Sequence, residues 1–343
     1  MLAVCKISEG VGGIAVEERE ARDPEAKEIL VKVAAAGICG TDIQIYHWAP
    51  RMARRMALPR VLGHEVCGHV VKVGKEVSNV IVGDYISLES HVYCGTCRQC
   101  RMGNEHLCIN TIYPGIDFDG CFAEFITVPS QIAWKNSKDT PIEVAAMMEP
   151  FGISVHATLA GSGVAGRTVM INGCGPIGLM NVAAARALGA TRIISCDINP
   201  IRLRNSKKMG ADLAVNPLEQ DLQAIVSDIT NAAGVDVAIE YSGSEQGFNA
   251  CFEALSKGGD LRLVGAPPKA IPVDFTQWLL KCPEMQNIHG RRIWDSWQVA
   301  AELLSSGAVD LNPIHSHSLS IAEGPQGFDL ILNGKALKPL IIP

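Results

Sequence analysis

The sequence predicts an α/β protein of two domains: a β-rich, barrel-like lobe and a doubly wound domain built on a parallel sheet. Three observations predict it. A chain of 343 residues exceeds the size at which a single hydrophobic core keeps growing. Hydrophobic residues at 48% against charged ones at 19% describe an ordinary globular protein and argue against disorder. The texture changes near residue 150, from short β-rich runs broken by glycine and proline to apolar strands alternating with helical stretches.

In the first lobe, residues 1–151, the runs "EILVKVAAAGIC", "VCGHVVKVG", "GDYISLES" and "CFAEFITVP" have the residue types and spacing of strands. In residues 152–290 the strands "TVMING", "TRIISCD", "VDVAIEYSG" and "DLRLVGAP" are interleaved with the helical stretches "PIGLMNVAAARALGA", "INPIRLRNSKKMGA" and "EQGFNACFEALSKGG". That alternation is the pattern of a doubly wound parallel sheet. The tail, 291–343, turns helical and then extended again, so it is expected to rejoin the first lobe. The cofactor domain is then an insertion between two parts of a catalytic domain.

Composition also excludes. A net charge of −6 argues against nucleic acid or an anionic membrane as the main partner and favours a small molecule. The opening "MLAVCKISEGVGGIAVEERE" has no basic segment followed by an apolar core, and no apolar window is long enough to span a bilayer. The chain reads as cytoplasmic, where cysteines serve metals or catalysis rather than disulfides.

Of the 12 cysteines, four crowd into "HVYCGTCRQCRMGNEHLC" with the spacing CxxCxxCx7C: Cys94, Cys97, Cys100 and Cys108. Thiols so spaced on tight turns converge on one ion and complete a tetrahedral cage, for which zinc is the best fit. A closed cage braces its loop, about residues 91–110, and performs no chemistry. Free thiols or an iron–sulfur site are the alternatives, and ferredoxin-like runs use other spacings.

A glycine turn opens the second domain. In "MINGCGPIGLM", Gly173, Gly175 and Gly178, with Pro176 and Ile177 between them, form GxGxxG directly after an apolar strand and before a helix. Asp197 ends the next strand. Strand, glycine turn, helix, strand and acid together predict a dinucleotide with its pyrophosphate at the helix N-terminus. An acid at 197 accepts hydrogen bonds from the adenosine ribose and repels a 2′-phosphate, so NAD is favoured over NADP, although Arg202 nearby is the kind of residue that accepts such a phosphate. An ordinary α/β turn is the bland alternative.

Cys39 in "GICGTD", His64 and Glu65 in "GHE", and Glu149 in "MMEPFG" are the right residue types for an open zinc site, with one position left for a substrate oxygen. They are scattered, and each on its own fits core packing equally well.

The run of motifs "GICGTDIQIYHW", "LGHEVCGHVVKVG", "VGDYIS", the four-cysteine loop, "DGCFAEF" and "GCGPIGLM" resembles the zinc-dependent medium-chain alcohol dehydrogenases over nearly the whole chain. "ESHVYCGTCRQCRMGNEHLCINT", "MEPFGISVH", "HGRRIWDSW" and "DLNPIHSH" are similar to the branch of that family that oxidises L-threonine. The resemblance implies a GroES-like barrel beside a Rossmann domain, and two zinc ions per chain. It implies catalytic zinc on Cys39, His64, Glu65 and Glu149, with Glu65 or Glu149 exchanging with solvent. It also implies Thr41 in a hydroxyl relay, His91 near the substrate, NAD as hydride acceptor, and a homo-tetramer. The implied reaction takes L-threonine to 2-amino-3-oxobutanoate. A polyol, sugar or diol is the alternative substrate, and a catalytically silent NAD-binding relative the alternative class. The chain departs from the pattern at Gln44, where relatives carry a proton-passing histidine, at Ser318, and in the closing "GKALKPLIIP". Glutamine takes no proton at neutral pH, which leaves water or His47 to end the relay. Arg291 and Arg292 are candidates for a substrate carboxylate.

Overall fold

The computed structural model describes Met1–Pro343 as two compact units, Met1–Pro150 with His315–Pro343, and Phe151–Ile314. In the first, a seven-stranded sheet runs in the order His315–Leu319, Lys338–Ile341, Glu28–Gly37, Glu65–Val73, Tyr85–Leu88, Ala133–Lys135, with Phe125–Pro129 also pairing along Glu28–Gly37. Glu28–Gly37 holds the centre because its side chains alternate between buried and partly exposed along "EILVKV", the period of a strand with one face on a core. A smaller antiparallel sheet joins Ile14–Glu18, Leu2–Lys6 and Arg60–Val61. Ile29, Val31, Val66, Ile86, Phe122 and Phe328 pack the core between these elements.

The second unit carries a six-stranded parallel sheet in the order Leu213–Val215, Arg192–Cys196, Thr168–Asn172, Val235–Glu240, Leu255–Leu263, Glu284–Asn287. Thr168–Asn172 and Arg192–Cys196 are buried on both faces after their first residue, which is why they read as continuous apolar runs rather than alternating ones. Both domain types expected from the sequence are therefore present. No helix is long and apolar enough to cross a membrane.

The tail divides later than expected. It rejoins the first unit only from His315, and residues 291–314 stay with the second. The reason is packing: Trp297 and Ala300 of the helix Asp295–Ser305 are fully buried, as is nearly all of Arg291. Gly152 leaves room for the arginine, since a Cβ there would lie 2.8 Å from Arg291 Cδ. His156 Nδ1 donates to the Gly290 carbonyl at 3.0 Å, tying the same segment down. The edge strand Glu284–Asn287 and the sheet containing Leu2–Lys6 carry no pattern strong enough to have been anticipated.

Candidate active site

Three chain segments bring the scattered ligands together in the first unit. Cys39 is the N-cap of the helix Gly40–Tyr46, where its backbone N–H donates to Asp42 Oδ2 at 2.8 Å. The Cys39 side chain in turn accepts from the Asp42 backbone N–H, and this reciprocal capping fixes the thiol at the helix end. His64 and Glu65 enter the strand Glu65–Val73, and Glu149 sits in the first turn of the helix Met148–Leu159. The ligand atoms of Cys39, His64 and Glu65 lie within 4.8 Å of one another, and Glu149 falls outside that trio. His64, Glu65 and Glu149 are all buried.

The surroundings are anionic. Burial alone would push the His64 imidazole down, but the Cys39 thiolate beside it, with Asp42 and Glu149, carries it up to about 10. Burial raises Asp42 and Glu65 above the ordinary carboxylate range. Against Glu65 sits Lys338, a fully buried lysine of the closing strand, whose Nζ also donates to the Ile38 carbonyl at 3.1 Å. Burial works against its charge, but Glu65 and Cys39 hold it raised. Gly37 makes room for this pair, because a Cβ there would meet Glu65 Oε2 at 2.5 Å and Lys338 Cε at 3.2 Å. Cys39, Glu65 and Glu149 bring three potential anionic ligands around His64, with Lys338 paired to one of them. A divalent cation balances such a set, and one thiolate, one imidazole and one carboxylate suit zinc. The His64 Nδ1 atom is buried without a hydrogen-bond partner, as in a site whose charge is not yet balanced.

The other expected residues fall as follows. Thr41 Oγ1 is 3.9 Å from Cys39 Sγ, so the hydroxyl and the thiol share one helix end. Gln44 and His47 are both exposed along and just past that helix. His91 is buried beside Glu89. Ser318 Oγ and His315 Nε2 are 3.2 Å apart. Arg291 and Arg292 lie in the second unit, the first buried and the second paired with Asp295 at 3.6 Å.

The four-cysteine loop converges as its spacing predicts. Cys94, Cys97, Cys100 and Cys108 place their sulfurs within 4.8 Å of one another, and none is in a disulfide. Backbone N–H groups of Cys97 and Asn110 point at Cys94 and Cys108 sulfurs at 3.3 and 3.4 Å. Such donors favour thiolates, and the Thr96 hydroxyl together with them brings Cys94 down to about 5. Burial pushes Cys100 up to about 12.

In the second unit each glycine of the turn has its own reason. Gly173 takes φ +93°, a conformation L side chains rarely adopt. A Cβ on Gly178 would overlap the Gly173 carbonyl oxygen, so the third glycine permits helix to lie on strand. Above Gly175 a Cβ would meet nothing within 4 Å, which leaves an open cradle at the N-cap of the helix Pro176–Ala187. Asp197 clamps this turn: Oδ2 accepts from Cys174 N at 2.7 Å and Oδ1 from Asn199 N at 2.8 Å. Arg202 pairs with it at 3.7 Å.

Sequence reasoning missed Lys338, Asp42 and Glu89. A capping signal was available for Asp42, three residues after Cys39 before an apolar helix. Lys338 had none beyond a cation in an apolar strand.

A cysteine–histidine–carboxylate cluster in one unit and an open glycine turn at a helix N-terminus in the other are the marks of an alcohol dehydrogenase of the zinc-dependent kind. The comparisons agree: residues 25–138 match the family described as alcohol dehydrogenase GroES-like domain, and residues 176–306 the family described as zinc-binding dehydrogenase. The chain belongs to the zinc-dependent alcohol dehydrogenase family. It is 40% identical to an L-threonine 3-dehydrogenase of Thermococcus kodakarensis, over 100% of this chain and 98% of that protein. An L-threonine 3-dehydrogenase of Bacillus subtilis is 38% identical over 98% of this chain and 96% of its own. Among solved structures, galactitol-1-phosphate dehydrogenase from Escherichia coli superposes with a TM-score of 0.92 at 27% identity, covering 100% of both chains.

Proposed function

We propose that the protein is an NAD-dependent L-threonine 3-dehydrogenase carrying two zinc ions per chain. One sits in the Cys94–Cys97–Cys100–Cys108 cage and one at Cys39, His64 and Glu65, with Glu149 as the exchanging fourth ligand. The observation that carries the reading is the Cys39–His64–Glu65 trio, half-buried at the thiol and buried at the other two, within a chain 40% identical over its full length to a threonine dehydrogenase. Bound there, zinc would supply Lewis-acid polarisation of a substrate hydroxyl, and the nicotinamide cofactor a hydride acceptor. The chain's own residues do the rest. Thr41 receives the hydroxyl proton at the helix end it shares with Cys39, and exposed Gln44 hands the path to solvent. Lys338 pairs with Glu65 and holds its carboxylate in place beside Cys39 and His64. His91 contacts the polar substituent.

The first unit is then the catalytic domain and the second the cofactor domain, with NAD on Gly173, Gly175, Pro176, Ile177 and Gly178 and its ribose on Asp197. Asp197 repels a 2′-phosphate and keeps Arg202 engaged, which supports NAD over NADP. A homo-tetramer fits the exposed apolar side of the second unit. Phe275, Leu279 and Leu280 are 81%, 78% and 62% exposed, next to the edge strand Glu284–Asn287, which is unpaired on one side. Twelve unpaired thiols suit the reducing cytoplasm.

Assay of hydroxy amino acids, polyols and diols with NAD and NADP tests the reading. L-threonine with NAD should exceed D-sorbitol and 2,3-butanediol, and faster polyol oxidation would move the assignment to a polyol dehydrogenase. Asp197→Ala should shift preference toward NADP by about tenfold or more, because repulsion is lost while Arg202 is released. Wild-type preference for NADP would defeat the cofactor reading.

A further inference from the structure

Three carboxylates are buried in the second unit, and two of them have a cation. Asp197 pairs with Arg202 at 3.7 Å and Asp260 with Arg262 at 2.7 Å. Glu240, 2% exposed, has only neutral donors. Its Oε1 accepts from Ser242 N at 2.7 Å, from Asn172 Nδ2 at 3.3 Å and from the Ser242 hydroxyl, and its Oε2 accepts from Gly243 N at 2.9 Å. Both oxygens accepting from N–H groups is the pattern of an ionised carboxylate. The donors satisfy its lone pairs but leave its charge unbalanced.

The fold sets this charge beside the glycine turn. Glu240 ends the strand Val235–Glu240 in register with Asn172, the last residue of Thr168–Asn172, and Gly173 follows directly. The chain just beyond Glu240 lies against that glycine, since a Cβ on Gly173 would be 2.9 Å from Ser242 N. Sheet order reverses at these two strands: Arg192–Cys196 and Leu213–Val215 lie on one side of Thr168–Asn172, and Val235–Glu240 and Leu255–Leu263 on the other. The crevice at such a reversal is where an α/β sheet takes its ligand. Asp197 follows the strand on the first side. A dinucleotide with its ribose at Asp197 and its pyrophosphate over Gly175 therefore extends its nicotinamide half toward the second side, the one Glu240 ends.

We propose that Glu240 supplies a fixed negative charge that favours the cationic nicotinamide of an oxidised dinucleotide over the neutral reduced ring. This rests on the dinucleotide reading of the second unit and deepens it by assigning what tells the two redox forms apart. The two forms share their adenosine, pyrophosphate and riboses, so contacts to those parts cannot separate them. A charge can, and one held in a buried turn acts beyond contact distance because little water screens it. Four donors fix the carboxylate in place before any ligand arrives, so its field needs no rearrangement of the protein.

Glu240→Gln removes the charge and keeps the side-chain length. On the zinc-loaded full chain, Kd for NAD+ should rise about tenfold, while Kd for NADH and for ADP-ribose, which lacks the nicotinamide, should move less than about twofold. Titration calorimetry reads all three. Glu240→Asp, which keeps the charge, should hold the ratio of the NAD+ and NADH constants near the wild-type value. Ser242 is exposed beside the carboxylate, so Ser242→Lys gives Glu240 a countercation while leaving the carboxylate in place. It should lose the same preference for NAD+, and Ser242→Gln should keep it. Equal rises for NAD+ and NADH in Glu240→Gln, or a ratio altered as much in Glu240→Asp, would mean that Glu240 only holds the turn and would overturn the proposal. An unchanged ratio in Ser242→Lys overturns it even if Glu240→Gln does not fold. A wild-type chain that binds neither NAD+ nor NADH defeats the dinucleotide reading itself, and the proposal with it, before any variant is made.

Discussion

The two candidate metal clusters share a unit and differ in almost everything else. Four cysteines of one loop, all within Cys94–Cys108, make a cage of identical ligands. Backbone N–H groups aim at its sulfurs, and the loop around it holds only the short helices Arg98–Arg101 and Glu105–Leu107. The second cluster draws Cys39, His64 and Glu65 from separate segments seated on the main sheet, with Asp42, Glu149 and Lys338 around it. A ligand set that closes on itself can only hold its loop. One that mixes ligand types, and whose carboxylate is held by a lysine, has a coordination position to give away. On the proposed function, that difference gives stability to one cluster and chemistry to the other.

The sharpest way to break this division is to remove one thiol from each cluster. Cys39→Ser should lower kcat by about a thousandfold or more, the loss of several kcal/mol of charge stabilisation, and leave Tm nearly unchanged. Cys100→Ser should abolish metal in the cage and lower Tm by about 5–10 °C, as a loss of a few kcal/mol does in a unit of this size, while the folded fraction keeps its turnover. Calorimetry and metal analysis beside the kinetics read both. If the two variants behave alike, the clusters do not divide the work.

Lys338 tests the open cluster from the other side. Lys338→Met leaves the Glu65 carboxylate buried without its cation, which should destabilise the zinc-free protein by about 3–5 kcal/mol. With zinc bound, Glu65 has a new cation within reach, and the penalty should shrink. Denaturant unfolding with and without zinc measures both, and an equal penalty in the two states would mean that Glu65 never turns to the metal.

How much of this was legible follows from how local each feature is. The cage and the glycine turn were readable because their ligands and glycines are neighbours in sequence, and a tight turn or a φ of +93° at Gly173 demands particular residues at fixed offsets. Strands such as Thr168–Asn172 were readable because burial on both faces leaves an unbroken apolar run. The open cluster was not, since nothing in the spacing of 39, 64 and 65 connects them, and only resemblance to a family did. Lys338 is 273 residues from Glu65 in the chain (338 − 65), and a buried lysine has no pattern to announce it. The tail was misread because nothing in the sequence marks Trp297 of the helix Asp295–Ser305, or Arg291 ahead of it, as buried, and the space that Gly152 leaves for Arg291 is set by the fold.

The cage also makes a pH prediction. Without metal, Cys94 titrates at about 5 and is a thiolate at neutral pH, while Cys100 at about 12 keeps its proton. Zinc must displace that proton, so affinity falls as pH falls, by about tenfold per pH unit for each proton released. Chelator competition between pH 8 and pH 6 should show it for Cys39→Ser, which retains the cage as its main site. A flat profile would mean the thiols are already ionised before metal arrives.

The smallest effect belongs to Gln44. It stands one turn beyond Thr41 on the helix Gly40–Tyr46, exposed, with His47 exposed after it. An amide orders water but takes no proton, so proton release past Thr41 runs to solvent unaided. Gln44→His places an imidazole one helical turn from the Thr41 hydroxyl, the neighbour spacing of a helix face. General-base help there should raise kcat/KM by about two- to fivefold above pH 6.5, where the ring is neutral, and should vanish below it, where the ring is protonated. Mixed with His47→Gln, the same substitution tells which group receives the proton in the wild type. If His47→Gln alone lowers the rate and Gln44→His restores it, the relay runs along this helix face. If His47→Gln changes nothing, water carries the proton from Thr41, and the open cluster discharges it directly to solvent.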